Sequence, residues 1–260
     1  MLDFLSSSIG KKVIMSLSGL FLLVFLALHA AINFTALISE DLYNAACAFM
    51  GSGFVLPFVP VLALGFIVHI IWSMRVEFQN WTCRPNAMRY KVPTQTKASS
   101  WASKNMFVLG VVVVGFLALH LFDFWAKMQL PELLGKHGAE NPCALLVAKF
   151  SNPVYCVLYI VWFVAIFYHV SHGFWSAFHT LGLSNSKWLP RLKCLAKIYA
   201  VVIFLAYLAI PVGILCGFPK DSTCEVPAAC AQEQVQDEQE AVAEDGQVSE
   251  TETTDAEASL

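Results

Sequence analysis

Charge is what this chain has least of. Only 13% of its 260 residues are Asp, Glu, Lys or Arg, where soluble proteins carry about 25%. That shortage excludes an ordinary soluble domain. Residues 13–38 and 154–180 contain no Asp, Glu, Lys or Arg at all. Organised cysteine is also missing. Cys47, Cys83, Cys143, Cys156, Cys194, Cys216, Cys224 and Cys230 form no CxxC pair and no zinc-like spacing, which argues against a zinc module or a thioredoxin-type site. Cys156 and Cys216 read as small apolar residues. No small-residue cleavage site interrupts the first apolar run, and that run is too long for a signal-peptide core. It is expected to stay as a span behind Lys11 and Lys12. Basic residues are absent after Lys220, and no soluble-domain repeat is visible.

What the chain has is hydrophobic length. Apolar residues make up 57% of it and its mean hydropathy is +0.62. A bilayer core of about 30 Å needs roughly 20 apolar residues in a helix. Five such runs are expected, at residues 12–38, 54–77, 104–127, 153–182 and 197–217. The fold class is therefore all-α: a polytopic membrane protein with five helices in one bundle, residues 1–217. Residues 1–10 read as a short amphipathic lead, and the acidic loop 39–53 as room for a short helix. Pro57 and Pro60 fall in the first turns of the second span, where proline is tolerated. Residues 218–260 are rich in Glu, Asp, Gln, Ala, Ser and Thr and are expected to be a disordered acidic tail. Cys224 and Cys230 would face an oxidising compartment there, where a disulfide is chemically allowed.

Lys and Arg set the orientation. With a cytoplasmic N-terminus, twelve fall on inside segments: Lys11, Lys12, Arg75, Arg84, Arg89, Lys91, Lys97, Lys104, Lys187, Arg191, Lys193 and Lys197. Four fall outside: Lys127, Lys136, Lys149 and Lys220. The positive-inside bias places the tail outside.

Four spans each carry one deep histidine: His29, His69, His120 and His169. Ionisable groups in a membrane are costly and mark function by default. At 1.5 Å per residue, His29 lies roughly 25 Å and His120 roughly 24 Å from the inner boundary. His69 lies about 9 Å from it, and His169 is about 24 Å inward from the outer boundary. Two layers result, an outer pair (His29, His120) and an inner pair (His69, His169), roughly 15 Å apart. Imidazole is a common axial ligand of haem iron, and helix bundles hold such cofactors between facing helices. Two bis-histidine b haems stacked across the membrane fit this spacing. Gly65, Gly115 and Gly173 lie near the ligands and would admit a porphyrin. The plainer reading of a buried histidine is a hydrogen-bonded packing residue, which four matched histidines disfavour.

His172 and His179 follow His169 on a similar face. They are expected to support the inner haem or its propionates, or else to be interfacial; His137 is expected to be solvated. Asp123, one turn beyond His120, is the candidate acid for a quinone site, its plain alternative being an interfacial acid facing water. Asn33, Glu40 and Asp41 are weaker candidates.

The segments SIGKKVIMSLSGLFLLVFLALHAAIN, IVHIIW, LALHLFDFW and YHVSHGFWSAF resemble the cytochrome b558-type membrane anchor of succinate dehydrogenase and fumarate reductase, in its five-helix, two-haem form. The resemblance covers about residues 10–217. It implies haem ligation by His29, His69, His120 and His169. It implies a bacterial cytoplasmic membrane, with flavoprotein and iron–sulfur partner subunits on the cytoplasmic side, where succinate and fumarate chemistry would occur. Electrons would then pass between that partner and a membrane quinone, menaquinone being implied. In one respect the sequence departs: some diheme fumarate reductases carry an acid in the fourth span, and residues 154–180 have none. Two other readings stand beside this one. One is the diheme cytochrome b of a hydrogenase or formate dehydrogenase; the other is a proton-coupled transporter with a histidine relay, against which the lack of inverted repeats and broken helices counts.

Overall fold

The computed structural model describes residues 7–82, 100–136 and 141–218. Among them there is no strand, and five helices are long and apolar enough to cross a membrane: Ser8–Leu37, Phe58–Thr82, Met106–Leu133, Pro153–Thr180 and Trp188–Leu215. The chain is a multi-pass membrane protein. The expected tail, the Cys224–Cys230 pairing and His137 lie outside the described residues.

Helix α1 (Ser8–Phe34) starts where the Ser7 side chain accepts a hydrogen bond from the Gly10 amide, and runs into a 3-10 turn, Thr35–Leu37. A short helix α2 (Glu40–Met50) occupies the acidic loop. Helix α3 (Phe58–Thr82) starts four residues later than the sequence suggested. Residues 51–57 form turns instead, and Pro60 alone of the two prolines lies inside the helix, in its first turn. A one-turn helix α4 (Trp101–Lys104) precedes α5 (Met106–His120). Helix α5 then loosens into a π-helical turn, Leu121–Trp125, and continues as α6 (Ala126–Leu133). Helices α7 (Pro142–Phe150) and α8 (Pro153–Thr180) open alike: an Asn caps the end and Pro takes the first position, where its missing N–H costs nothing. Helix α9 (Trp188–Leu215) begins nine residues before the expected span. Lys and Arg are good helix formers, so α9 extends through Arg191 and Lys193 past the apolar stretch that hydropathy detects.

Helix α8 is the centre. It packs on α9, α1 and α5; α1 also packs on α3 and α9. Among the helix pairs that do not pack in this way are two diagonals, α1 to α5 and α3 to α8, whose backbones approach closely at no more than isolated points. The compact core gathers at the end away from Ser8, where α2 and α7 cover the bundle, with Cys143, Cys156, Tyr159, Phe150 and Ile210 buried. Toward the Ser8 end the interior between the diagonals is looser, and no residue of α3 is fully buried.

Candidate functional site in the bundle interior

The histidines lie on those two diagonals. His29 of α1 faces His120 of α5, ring centroids 5.7 Å apart and planes at 86°. His69 of α3 faces His169 of α8, centroids 6.4 Å apart and planes at 77°. The structure thus brings together the same pairs that depth arithmetic groups.

Helix contacts give the spacing of the layers. His69 Nδ1 lies 3.3 Å from the Met15 carbonyl oxygen and 3.3 Å from Ser18 Oγ. A Cβ on Gly19 would lie 3.2 Å from its ring. The Met15 carbonyl points along α1 toward Ser18 and Gly19, so His69 is level with those two residues, and His29 is ten or eleven residues further on, roughly 15–16 Å along the helix. On α5, a Cβ on Gly110 would approach His169 to 3.8 Å, and His120 follows ten residues later, again roughly 15 Å.

Each pair can be tested for fit to a shared metal. A metal–imidazole bond of about 2.0 Å on each side, plus the radii of two five-membered rings, sets centroids roughly 6 Å apart. Both separations meet that. Among the described residues no three His, Cys, Asp or Glu side chains converge as a metal-ion site. Two ligands per layer suit a metal whose other positions are filled by a macrocycle, which describes haem rather than zinc. Polar capacity is also left over. His69 can satisfy the Met15 carbonyl only through an Nδ1 proton, which leaves Nε2 unprotonated. His120 and His169 each have a buried Nδ1 without a partner, unusual where buried polar groups are normally paired.

The flanking glycines divide. A Cβ on Gly115 or Gly173 would meet nothing within 4 Å. Gly65 differs from its expected role: a Cβ there would lie 2.6 Å from Phe21, so it is occupied by helix packing. Gly19, which pattern reading missed, is the glycine pressed against a histidine. Hydropathy hides it within an apolar run.

His172 has a buried, unpartnered Nδ1 and packs edge-on against Trp175. The Lys193 ammonium covers the other ring in that cluster, 4.7 Å from the Trp175 centroid. His179 is exposed and pairs with Ser184 through Nδ1 at 2.6 Å.

Asp123 does not face water. It is 3% exposed. Its carboxylate pairs with Lys149 at 2.9 Å and accepts a hydrogen bond from the Tyr159 hydroxyl at 3.0 Å. The π turn that carries it begins at the residue after His120, and such turns recur at functional sites. Lys149 also lies 3.9 Å from the Tyr155 ring centroid. Lys149 and Tyr159 escaped sequence reading because they join Asp123 from 26 and 36 positions away. The Asn-Pro start of α7 was the available sign that Lys149 sits on a helix and not in a loose loop. The weaker candidates are used elsewhere. Asn33 donates to the His29 carbonyl at 2.8 Å, Glu40 accepts from Asn141 at 2.7 Å, and Asp41 is exposed.

A five-helix membrane bundle with two layers of opposed histidines is thus the class that fold and site define. The chain is similar to the succinate dehydrogenase cytochrome b558 subunit of Bacillus subtilis (strain 168), 25% identical over 188 residues, which is 70% of this chain and 83% of that subunit. No family model matches the chain, and no solved structure matches it.

Proposed function

We propose that this chain is the diheme cytochrome b membrane anchor of a succinate dehydrogenase or fumarate reductase complex, itself without succinate chemistry. The observation that carries the reading is the pair of opposed imidazoles on each diagonal. The similarity to a subunit of that name supports it. His29 and His120 would hold an outer b haem, and His69 and His169 an inner one. When bound, such haems carry single electrons between an iron–sulfur partner and a membrane quinone, menaquinone being the one implied.

The chain's own residues would do the rest. His69 is oriented by Met15 and Ser18, so its Nε2 faces the bundle interior. With both axial positions taken by imidazole, no position stays open for oxygen. His172 borders the inner site. The basic residues of the Ser8 end suit docking of an iron–sulfur and a flavoprotein subunit, on the side that the positive-inside bias makes cytoplasmic. The membrane is then the bacterial cytoplasmic one. Asp123 is the acid nearest the outer site and the candidate for handling quinone-linked protons.

A histidine proton relay is disfavoured by the gap between layers. The intervening face of α8 offers Trp162, Phe163, Ile166 and Phe167, none of which passes a proton at neutral pH. A hydrogenase or formate dehydrogenase anchor would share the haem chemistry, and only the similarity above separates it.

A visible spectrum of the purified protein reduced with dithionite tests the haems. Sharp b-type bands are expected; their absence from a folded protein ends the proposal. Asp123→Asn is expected to slow quinone-linked turnover several-fold with both haems retained. Unchanged quinone kinetics would remove Asp123 from that role.

A further inference from the structure

Asp123 and Lys149 form an ion pair at the end of a membrane bundle, and such pairs are seldom there for stability. Taking two charges out of water costs several kcal/mol per ion, which mutual attraction often fails to recover. Three features hold this pair beside the outer histidines. The π turn after His120 places Asp123 inward. Tyr159, whose ring centroid is 6.4 Å from that of His120, donates its hydroxyl to Asp123. Lys149 is brought in by α7, between Asp123 and the Tyr155 ring. Asp123 is buried and Lys149 nearly so, and the neighbouring Phe124, Phe150 and Tyr159 rings pack on one another, so water screens the pair poorly and each charge reaches the neighbouring site.

We propose that Lys149 and Asp123 are positioning residues for the outer haem: a charge-balanced pair, locked by Tyr159, in which each charge keeps the other from shifting the reduction of the outer iron. This rests on the reading of His29 and His120 as haem ligands. Reduction adds one negative charge to the iron centre. Lys149 favours that change and Asp123 opposes it, so in the intact pair the two contributions nearly cancel. Removing one partner exposes the other.

Redox titration of the holoprotein, followed at the haem bands, reads this directly. Lys149→Gln is expected to make the outer haem about tenfold harder to reduce, which for one electron is 59 mV. Asp123→Asn in neutral buffer is expected to make it about tenfold easier. The Asp123→Asn/Lys149→Gln double variant, with no uncompensated charge, returns to within about threefold of wild type. Lys149→Arg keeps the wild-type midpoint. Glu132→Gln, an acid further along α6, leaves it unmoved. The inner component serves as the internal reference and stays constant throughout. Shifts of the same sign in the two single variants, or shifts below twofold in both, overturn the proposal. Should a single variant fail to assemble, the double variant decides: loss of the outer haem from it means that the pair is only structural. If wild-type protein shows no haem bands, it is the ligand reading that has failed. If Asp123→Asn slows turnover while no midpoint moves, the ligand reading stands and the electrostatic role falls.

Discussion

Single residues on opposite sides of the inner layer show how little slack the site has. His69 is fixed from behind by the Met15 carbonyl and from the side by Gly19, whose missing Cβ lets the ring lie against α1. A real Cβ at that point would sit 3.2 Å from the ring, closer than carbon atoms comfortably approach. A branched side chain cannot be accommodated without moving the imidazole. Gly19→Val is therefore expected to deplete the inner haem component by more than half, leaving the outer one in place, as read from reduced-minus-oxidised spectra per unit protein. Equal loss of both components would mean a general folding defect; no loss would mean that the contact is not close. Nothing in the sequence distinguished Gly19 from the other glycines of apolar runs. The histidines themselves were legible because an imidazole in hydrocarbon is expensive whatever surrounds it. Gly19 matters only through a partner 50 positions away. The burial of Asp123 was hidden for the same reason: its environment comes from α7 and α8, not from its own helix.

The elements repeat that lesson one level up. Apolar length located all five spans, since a bilayer imposes it on any helix that crosses. Their ends were less legible. Helix α9 begins with Trp188 and continues through Arg191, Lys193 and Lys197 because backbone hydrogen bonding does not stop where the hydrocarbon does. The element that the sequence hid most was α7. It is short, with nine residues, and it lies between the expected spans 104–127 and 153–182, where apolar length gives no signal. Its start depends on Asn141, whose side-chain oxygen accepts from the Ala144 amide at 3.0 Å and from the Asn44 side chain at 3.1 Å, while its amide group donates to Glu40. One side chain thus caps α7 and ties it to α2. Asn141→Ala removes the cap, which costs about 1–2 kcal/mol, along with both bonds to α2. A lower melting temperature of the purified holoprotein is expected, with the outer component more affected than the inner, because α7 carries Lys149. An unchanged melt would show that α7 is held by its buried face alone, through Cys143, Leu146 and Phe150.

At the scale of the molecule, the five-helix bundle is a device for keeping two sites apart. The connectivity makes α1 run beside α3 and α5 beside α8, so each histidine pair must reach across a diagonal. A ligand pair on neighbouring helices would leave no room between them. The two layers lie roughly 15 Å apart along the helix axes, more than the 7–10 Å beyond which substitutions act independently. No helix can exchange partners between layers without sliding by several turns. His29→Ala and His120→Ala are each expected to remove or shift the same outer component in a redox titration. His69→Ala and His169→Ala are expected to act on the inner one. His172→Ala should keep both haems and at most shift the inner potential, because His172 packs against Trp175 and faces no second histidine. Combining one outer with one inner variant should give the sum of the two single effects, since nothing between Trp162 and Phe167 couples the layers by charge. Depletion of one component by both His29→Ala and His69→Ala would break the two-layer arrangement. Loss of the inner haem from His172→Ala, with His169→Ala retaining it, would move the ligand three residues along α8, to the other imidazole whose Nδ1 lacks a partner.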